Sequence, residues 1–334
     1  MSQPIPRVDV IVPCYNYGRF LRQCVDSVLT QAGVAVRVLI IDDCSADDSE
    51  AVGRQLAAED SRVEYRRHAA NRGHVATYNE GLDWVSGDYC LLLSADDLVT
   101  LGALGRAVGL MEAHPEVGMT YGEVIRTDAP DFAAVPPPAA YSTEVLPGPA
   151  FVENCVRACN NLVEAATAVV RASVQRAAGG YRKELPHSCD FEMWLRCASL
   201  AAIGRVGAPQ GFYRRHGTNM SMGYVHRKEY DQTRAAFEYF FRDFGTRLPG
   251  RDQLEGQLRR GLATTAFYLA NESYEAGHAP QCAALLSEAE ALWPDVRRHR
   301  GWRRLRLKRA LGGRVWRALR PLLKLGRRPA TAAA

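Results

Sequence analysis

Polar and acidic residues follow short apolar runs at three places in the first hundred residues, and these side chains are the ones suited to chemistry. The clusters are Cys-Tyr-Asn at 14–16, Asp-Asp at 42–43 and Asp-Asp at 96–97. Carboxylates bind Mg²⁺ or Mn²⁺ together with phosphate oxygens, and a tyrosine ring can stack on a nucleotide base. Because Asp also favours helix N-caps, each acidic pair taken alone fits a capping role as well.

Short apolar runs typical of strands alternate along the chain with segments of helical periodicity, and this alternation predicts an α/β fold. Strands alternating with helices form a mostly parallel sheet, and ligands bind beyond the carboxyl ends of such strands. The three clusters are therefore expected to converge on one edge of the sheet. Buried strands are predicted at 8–13 and 36–41, further strands at 62–66 and 89–93, and helices at 20–30, 49–58, 75–85 and 101–113.

The rest of the chain predicts a cover segment followed by helices. Residues 129–149 are rich in Ala and Pro and predict a loop rather than a packed element. A helix is expected around 190–200, and the pattern is helical throughout after Tyr224. Residues 262–292 predict two antiparallel helices that turn at Gly277.

Charge is distributed unevenly along the 334 residues. The net charge is +5, yet residues 296–334 hold 14 Lys and Arg and no Asp or Glu, which leaves the remainder with 28 basic and 37 acidic residues. Trp302 and Trp316 lie among these arginines, and such a segment suits an anionic membrane surface, into which both rings are expected to insert. A solvated arm is the alternative. Nucleic acid is the less favoured partner, because nothing else in the chain suggests base readout.

The start of the chain lacks the apolar core of a signal peptide, and no run of eighteen apolar residues predicts a transmembrane helix. The nine cysteines lack the paired spacing of a zinc site and are expected to be free thiols in a reducing compartment. We therefore expect a cytoplasmic protein, peripheral at the inner face of the cell membrane.

Six motifs in a fixed order carry a family resemblance. With them the chain resembles glycosyltransferase family 2 over roughly residues 8–225, which implies an inverting enzyme of the GT-A fold. The motifs are IVPCYNYG at 11–18, IIDDCSADDS at 40–49, NRGHVATYNEGL at 71–82, GDYCLLLSADD at 87–97, GGYRKELPHSCDFEMWLR at 179–196 and YRRHGTNMS at 213–221.

The implied architecture is a GT-A domain with a mostly parallel central sheet, followed by a helical extension. The GT-A domain would occupy residues 1–225, with its nucleotide-binding part at 1–125 and its acceptor part at 126–225. The helical extension would occupy 226–295, and the basic amphipathic tail 296–334.

The resemblance also implies roles for individual residues. Asp190 matches the family's catalytic base, and a Mn²⁺ or Mg²⁺ ion is assigned to Asp96, Asp97 and His216. The nucleotide-sugar-binding residues implied in the same way are Pro13, Tyr15, Asn16, Asp42, Asp43, Arg72 and Asp96.

The chain departs from the family pattern at two positions. Ser94 stands where the family's metal motif often begins with Asp, so metal binding would rest on fewer carboxylates. Cys189 stands where a Glu commonly precedes the base, which can change the pKa or orientation of Asp190. Two simpler roles also stay open: Asp190 as a helix N-cap, and His216 as an exposed loop histidine.

These expectations define a metal-assisted inverting glycosyltransferase. Its donor would be a nucleotide sugar, with a UDP-sugar favoured, and its acceptor a polysaccharide, lipid-linked or protein-linked glycan. A nucleotidyltransferase shares the sheet and the metal requirement but normally needs a glycine-rich phosphate loop, which VPCYNYG at 12–18 lacks. A non-catalytic nucleotide-sugar-binding protein of the same fold is the second alternative.

Overall fold

The computed structural model describes residues 5–131, 133–312 and 315. They belong to two compact units, of which the first runs to Arg251 and the second begins at Asp252. Each unit is described below by itself.

The first unit begins with four parallel strands joined by helices. The strand order is β3-β2-β1-β4, and the helices fall between consecutive strands. The strands are β1 (Arg7–Cys14), β2 (Ala35–Asp42), β3 (Val63–Arg67) and β4 (Tyr89–Leu92), and the helices are α1 (Gly18–Leu29), α2 (Ser49–Glu59) and α3 (His74–Trp84).

Strand register places the polar clusters at one edge. In the parallel pair β1–β2, Cys14 lies opposite Asp42, so the loops that follow both strands leave the sheet side by side. Strand β4 pairs with the other side of β1 and ends with Leu92 opposite Ile11. Because all three strands run in the same direction, their carboxyl ends share this edge, as the sequence predicts.

The second half of the sheet is mixed in direction. It continues from β4 as β8-β6-β9-β5, with β7 paired to β9. Only the β6–β9 pair is parallel among the pairs described in this half. The elements are β5 (Leu98–Val99), α4 (Ala103–Ala113), β6 (Val117–Thr127), β7 (Ser142–Leu146), α5 (Gly148–Ala158), β8 (Val169–Arg171), α6 (Ala172–Ala178), α7 (Cys189–Leu200), β9 (Ala202–Arg214) and α8 (Arg227–Asp243).

The α/β fold class is confirmed, and the predicted strands agree with β1 to β4 within about one residue at each end. The prediction of a loop through residues 129–149 is wrong in its last third. Residues 142–146 form β7, which pairs antiparallel with β9, and α5 begins at Gly148. Strand β7 is largely exposed at the sheet margin, so it carries little of the apolar signal that marks a strand in sequence.

The first compact unit extends past the predicted domain end at residue 225. Helix α8 packs on α7, where the rings of Phe191 and Phe237 meet edge to face with centroids 5.0 Å apart. Phe240 is fully buried on the same helix. These aromatic contacts join α8 to the sheet-bearing unit.

The second unit is built on a helical hairpin. Helices α9 (Arg251–Glu275) and α10 (Ala279–Leu292) are joined by a turn in which Gly277 has a φ of +90°, a conformation that glycine adopts without strain. The predicted pair of helices turning at this glycine is confirmed. A third helix, α11 (Trp302–Leu311), completes the unit.

The predicted insertion of Trp302 into a membrane is wrong. Its side chain is 6% exposed and stacks on Phe267 of α9, with ring centroids 5.6 Å apart. Leu305, one turn further along α11, is also buried. Trp302 is therefore part of the helical core, because its spacing to Leu305 puts both on the inner face of α11. Trp316 and the rest of 316–334 lie outside the described residues.

Within the described part of the chain, no helix has both the length and the apolar character needed to cross a bilayer.

Candidate active site

A cavity of about 930 Å³ opens at the carboxyl edge of the parallel strands. Its walls come from the loops after β1, β2 and β4, from the segment before β8 and from the start of α7. Seven of the predicted site residues line it together: Pro13, Tyr15, Asn16, Asp43, Asp96, Asp97 and Asp190.

The loop after β1 is held in shape by Asn16. This residue has a φ of 59°, in the left-handed region that Asn tolerates better than most side chains. Its Oδ1 accepts a hydrogen bond from the Ala46 backbone at 2.8 Å, and its own backbone N–H donates to Ser45 Oγ at 2.9 Å. The side chain of Asn16 therefore joins two cavity loops, while the ring of Tyr15 remains half exposed.

Asp43 organises the opposite wall. Its Oδ1 accepts the backbone N–H of Arg72 at 2.7 Å, and its Oδ2 accepts that of Gly73 at 2.8 Å. His68 lies 2.7 Å from Oδ1 through Nδ1. A buried carboxylate that accepts this many hydrogen bonds is well satisfied, so Asp43 fixes the loop at 71–73 against the cavity.

Two predicted nucleotide-binding side chains do not face the cavity. The buried carboxylate of Asp42 accepts from the Ser45 backbone and from the Tyr65 hydroxyl, both at 2.8 Å. The guanidinium of Arg72 pairs with Glu80 at 2.6 Å. Asp42 is the last residue of β2, and its side chain points to the sheet face opposite that of its neighbours, because side chains alternate along a strand.

His216 lies behind Asp96 rather than on the cavity wall. Its Nε2 is 2.9 Å from Asp96 Oδ2, and the Thr218 backbone N–H donates to its Nδ1 at 3.3 Å. Since Nδ1 accepts, the ring proton is on Nε2 and is donated to Asp96. The imidazole also packs on Phe20, with centroids 4.9 Å apart. This arrangement fixes the orientation of the Asp96 carboxylate.

Asp96 keeps one oxygen free. Its Oδ1 is buried and has no hydrogen-bond partner among the described residues. A buried carboxylate oxygen without a partner is costly, which points to a ligand that supplies the missing contact.

Asp97 is directed differently from its neighbour. Its Oδ1 accepts the backbone N–H of Arg214 at 3.0 Å. Burial raises the pKa of this carboxyl group well above its usual range, and the charge of Asp96 raises it further. The two carboxylates therefore differ, with Asp97 tied to β9 and Asp96 oriented by His216.

The predicted set of three metal ligands is not assembled in the structure. No group of three or more His, Cys, Asp or Glu side chains within the described ranges is arranged to hold an ion. The unpartnered Oδ1 of Asp96 nevertheless fits a hard divalent cation whose remaining ligands are phosphate oxygens and water.

Asp190 lies in the first turn of α7, after the N-cap residue Ser188. Its Oδ1 accepts the Phe191 backbone N–H at 2.6 Å, and Asn161 Nδ2 approaches its Oδ2 at 3.5 Å. Burial raises the pKa of Asp190 to about 7, the Phe191 hydrogen bond opposes this rise, and the charge of Glu164 adds to it. A carboxylate with this pKa is suited to accept a proton near neutral pH.

Sequence reasoning missed the wall that faces the strand ends. Asn161 and Glu164 line the cavity, and Glu164 forms an ion pair with Arg126, which lines it as well. Asn161 and Glu164 lie in the loop after helix α5 rather than at the end of a parallel strand. A search for polar residues at strand ends therefore does not find them.

Comparison with known proteins shows the fold and finds a family match over part of the chain. S. aureus TarS 1-349 in complex with UDP-GlcNAc superposes with a TM-score of 0.65 at 17% identity, covering 86% of this chain and 82% of that one. The mannosyltransferase PcManGT from Pyrobaculum calidifontis, in complex with GDP-Man and Mn²⁺, gives 0.58 at 18% identity, covering 91% and 84%. These likenesses define the class of the fold, which is GT-A.

Residues 9–161 match the model of the family described as Glycosyl transferase family 2. The resemblance carried by the sequence motifs is confirmed over this segment. EpsE of Bacillus subtilis (strain 168), a protein named as a glycosyltransferase, is 27% identical over 194 residues, which are 57% of this chain and 66% of EpsE. The chain thus spans slightly less than two thirds of this curated relative.

Proposed function

We propose that this protein is an inverting glycosyltransferase that transfers a sugar from a nucleotide sugar to an acceptor hydroxyl. One observation carries the proposal: a single cavity holds two carboxyl groups whose surroundings differ. Asp190 has a raised pKa, and Asp96 keeps an unpartnered oxygen. One suits proton transfer, and the other suits a cation that binds a diphosphate.

Asp190 is assigned the general base. An acceptor hydroxyl is a weak nucleophile near neutral pH, and a carboxylate that takes its proton strengthens it as the new bond forms. The hydrogen bond from Phe191 N–H to Oδ1 holds the carboxylate in place and leaves Oδ2 with only the long contact to Asn161. Attack on the face of the anomeric carbon opposite the diphosphate then gives inversion in a single displacement.

Asp96 and His216 are assigned the metal side of the cavity. Asp96 would hold Mn²⁺ or Mg²⁺ through Oδ1, with His216 orienting the carboxylate through Oδ2. A bound cation supplies charge stabilisation to the leaving diphosphate. The neighbour with GDP-Man and Mn²⁺ supports a divalent ion in this fold.

The donor is assigned to the loops around Tyr15, Asn16 and Asp43. Tyr15 offers a half-exposed ring for base stacking, and Asp43 fixes the loop at 71–73 beside it. A UDP-sugar is favoured, and the neighbour bound to UDP-GlcNAc supports it.

The acceptor is assigned to glycans that are part of a polysaccharide or are linked to lipid or protein. The protein is proposed to act in the cytoplasm, peripherally at the inner face of the cell membrane. The excess of basic residues in 296–334 supports this localisation.

A donor screen tests the proposed function. The full chain is incubated with UDP-, GDP- and dTDP-sugars and Mn²⁺, and both binding and release of the nucleoside diphosphate are measured. We expect a UDP-sugar to bind and to be consumed slowly even without acceptor. Release of pyrophosphate from a nucleoside triphosphate would instead identify a nucleotidyltransferase. Binding without consumption under any acceptor would identify a non-catalytic protein.

A further inference from the structure

Helix α11 has an inner face that holds it to the hairpin. Trp302 and Leu305 are buried there, and Lys308 follows with its ammonium group 2.6 Å from Asn271 Oδ1. The Lys308 carbonyl also accepts the Tyr274 hydroxyl at 2.6 Å. The inner-face residues of α11 are therefore buried in this unit, and its exposed residues lie on the other face.

The outer face combines exposed leucines with arginines. Leu307 and Leu311, one turn apart, are 55% and 36% exposed. Arg303 and Arg306 are also exposed away from the inner face, and no ion pair joins either of them to a carboxylate of the described chain. By contrast, Arg297 and Arg298 of the preceding turn pair with Glu290 and Asp295. We name these four residues, Arg303, Arg306, Leu307 and Leu311, the α11 outer surface.

We propose that the α11 outer surface binds an anionic lipid bilayer. Cationic side chains beside exposed apolar ones match the chemistry of a membrane interface, where arginines meet lipid phosphates and leucines enter the acyl boundary. Exposed leucines have no comparable role on a nucleic-acid backbone, which is bound through charge alone. Leu307 and Leu311, rather than the buried Trp302, would make the apolar contact with the membrane. It rests on the proposed peripheral localisation and not on sugar transfer.

Co-sedimentation of the full chain with vesicles tests the surface. Vesicles of neutral phosphatidylcholine, with and without 30% phosphatidylglycerol by composition, are the probe. The test variant carries Arg303→Gln and Arg306→Gln. The control variant carries Arg54→Gln and Arg157→Gln, which are exposed arginines on α2 and α5 and give the same change in net charge.

We expect the test variant to lose about 30-fold in partitioning onto anionic vesicles, from the usual attraction per basic residue. The control variant should bind as the wild type does. A second variant, Leu307→Gln with Leu311→Gln, should lose binding that persists at high salt, because apolar insertion is not screened.

Three outcomes would overturn the proposal. If wild-type protein binds vesicles equally with and without the anionic lipid, both the proposed lipid-binding surface and the proposed peripheral localisation are wrong. Equal losses in the test and control variants would show attraction by overall charge without a docking surface. Salt-sensitive binding to RNA together with no vesicle binding would assign the arginines to nucleic acid. A donor-release assay on the same samples separates each of these from failure of the proposed activity.

Discussion

At the scale of single residues, the carboxyl group of Asp190 sets the expected pH dependence of the reaction. Burial raises its pKa to about 7, so the group is protonated and inactive below that pH. Transfer measured as kcat/KM is therefore expected to rise with pH through an apparent pKa near 7 and to level off above it. A rate that is flat from pH 5 to pH 9 would contradict the assignment.

Glu164 provides a second test of the same pH profile. Its negative charge contributes to the raised pKa of Asp190, and its pairing with Arg126 balances that charge. Glu164→Gln is expected to move the acid limb of the profile to lower pH. The matched variant Glu153→Gln, which removes an exposed pair with Arg157 on α5, should leave the limb in place.

Asp96 is expected to act on binding rather than on proton transfer. Asp96→Asn removes the negative charge of the carboxylate that carries the unpartnered Oδ1. This change should weaken Mn²⁺-dependent UDP binding by about 10- to 100-fold, a loss seen even when only a residue that contacts a metal ligand is removed. Calorimetry with and without Mn²⁺ measures this. Asp83→Asn, on the exposed side of α3, is the control. Unchanged affinity in the Asp96 variant would place the ion elsewhere.

Sequence reasoning found most of these residues but not their orientation. Parallel strands and their polar ends indicated where Asp43 and Asp96 would meet, whereas Asp190 was implied by the family resemblance alone. Whether Asp42 or Asp43 faces the cavity depends on side-chain alternation at the end of β2, which the motif alone does not resolve. Glu164 was missed because it lies in the loop between α5 and β8 and not at the end of a parallel strand.

At the scale of elements, the site depends on the close approach of α1 and α2. Gly18 begins α1, and its backbone N–H donates to Asp47 Oδ2 at 3.0 Å. A Cβ at this position would clash with the Asp48 carboxylate and lie 2.6 Å from the Ser49 backbone nitrogen. The glycine therefore lets the two helix starts, and the loop that carries Tyr15, lie together.

Gly18→Ala is expected to destabilise the protein by about 1–3 kcal/mol, as overpacking usually does, and to weaken donor binding. Gly109→Ala in α4 is the matched control, because nothing lies within 4 Å of its added Cβ. That change should be neutral or stabilise by up to about 1 kcal/mol through helix propensity. Chemical denaturation of both variants measures the contrast, and equal effects would show that the approach of α1 to α2 is not tight.

The elements themselves were predictable where the pattern was strong. The buried apolar strands β1, β2 and β4 have clear apolar runs, and the hairpin at Gly277 has a glycine with positive φ. Strand β7 lacks both, since its side chains are mostly exposed and its pairing with β9 comes from tertiary contact. Weak local signals of this kind are decided by packing rather than by propensity.

At the scale of the whole molecule, the second unit depends on its last described helix. Truncation after Asp295 removes Trp302 and Leu305 and exposes Phe267, so the hairpin should become sensitive to protease. Truncation after Gly250 removes the second unit and should leave a folded first unit that still binds donor. Limited proteolysis and donor calorimetry on both variants test this. Loss of donor binding in the shorter variant would show that the first unit does not fold alone.

One cavity is proposed to bind the donor, with Asp190 performing the proton transfer in it. The most direct measurement compares donor binding with turnover in Asp190→Asn, with Asp83→Asn as the control. Asparagine keeps the oxygen that accepts the Phe191 N–H but cannot take a proton. We predict unchanged donor affinity and a loss of transfer of about 10²–10⁴-fold. Near-normal transfer in Asp190→Asn, or an equal loss of donor binding, would contradict the account.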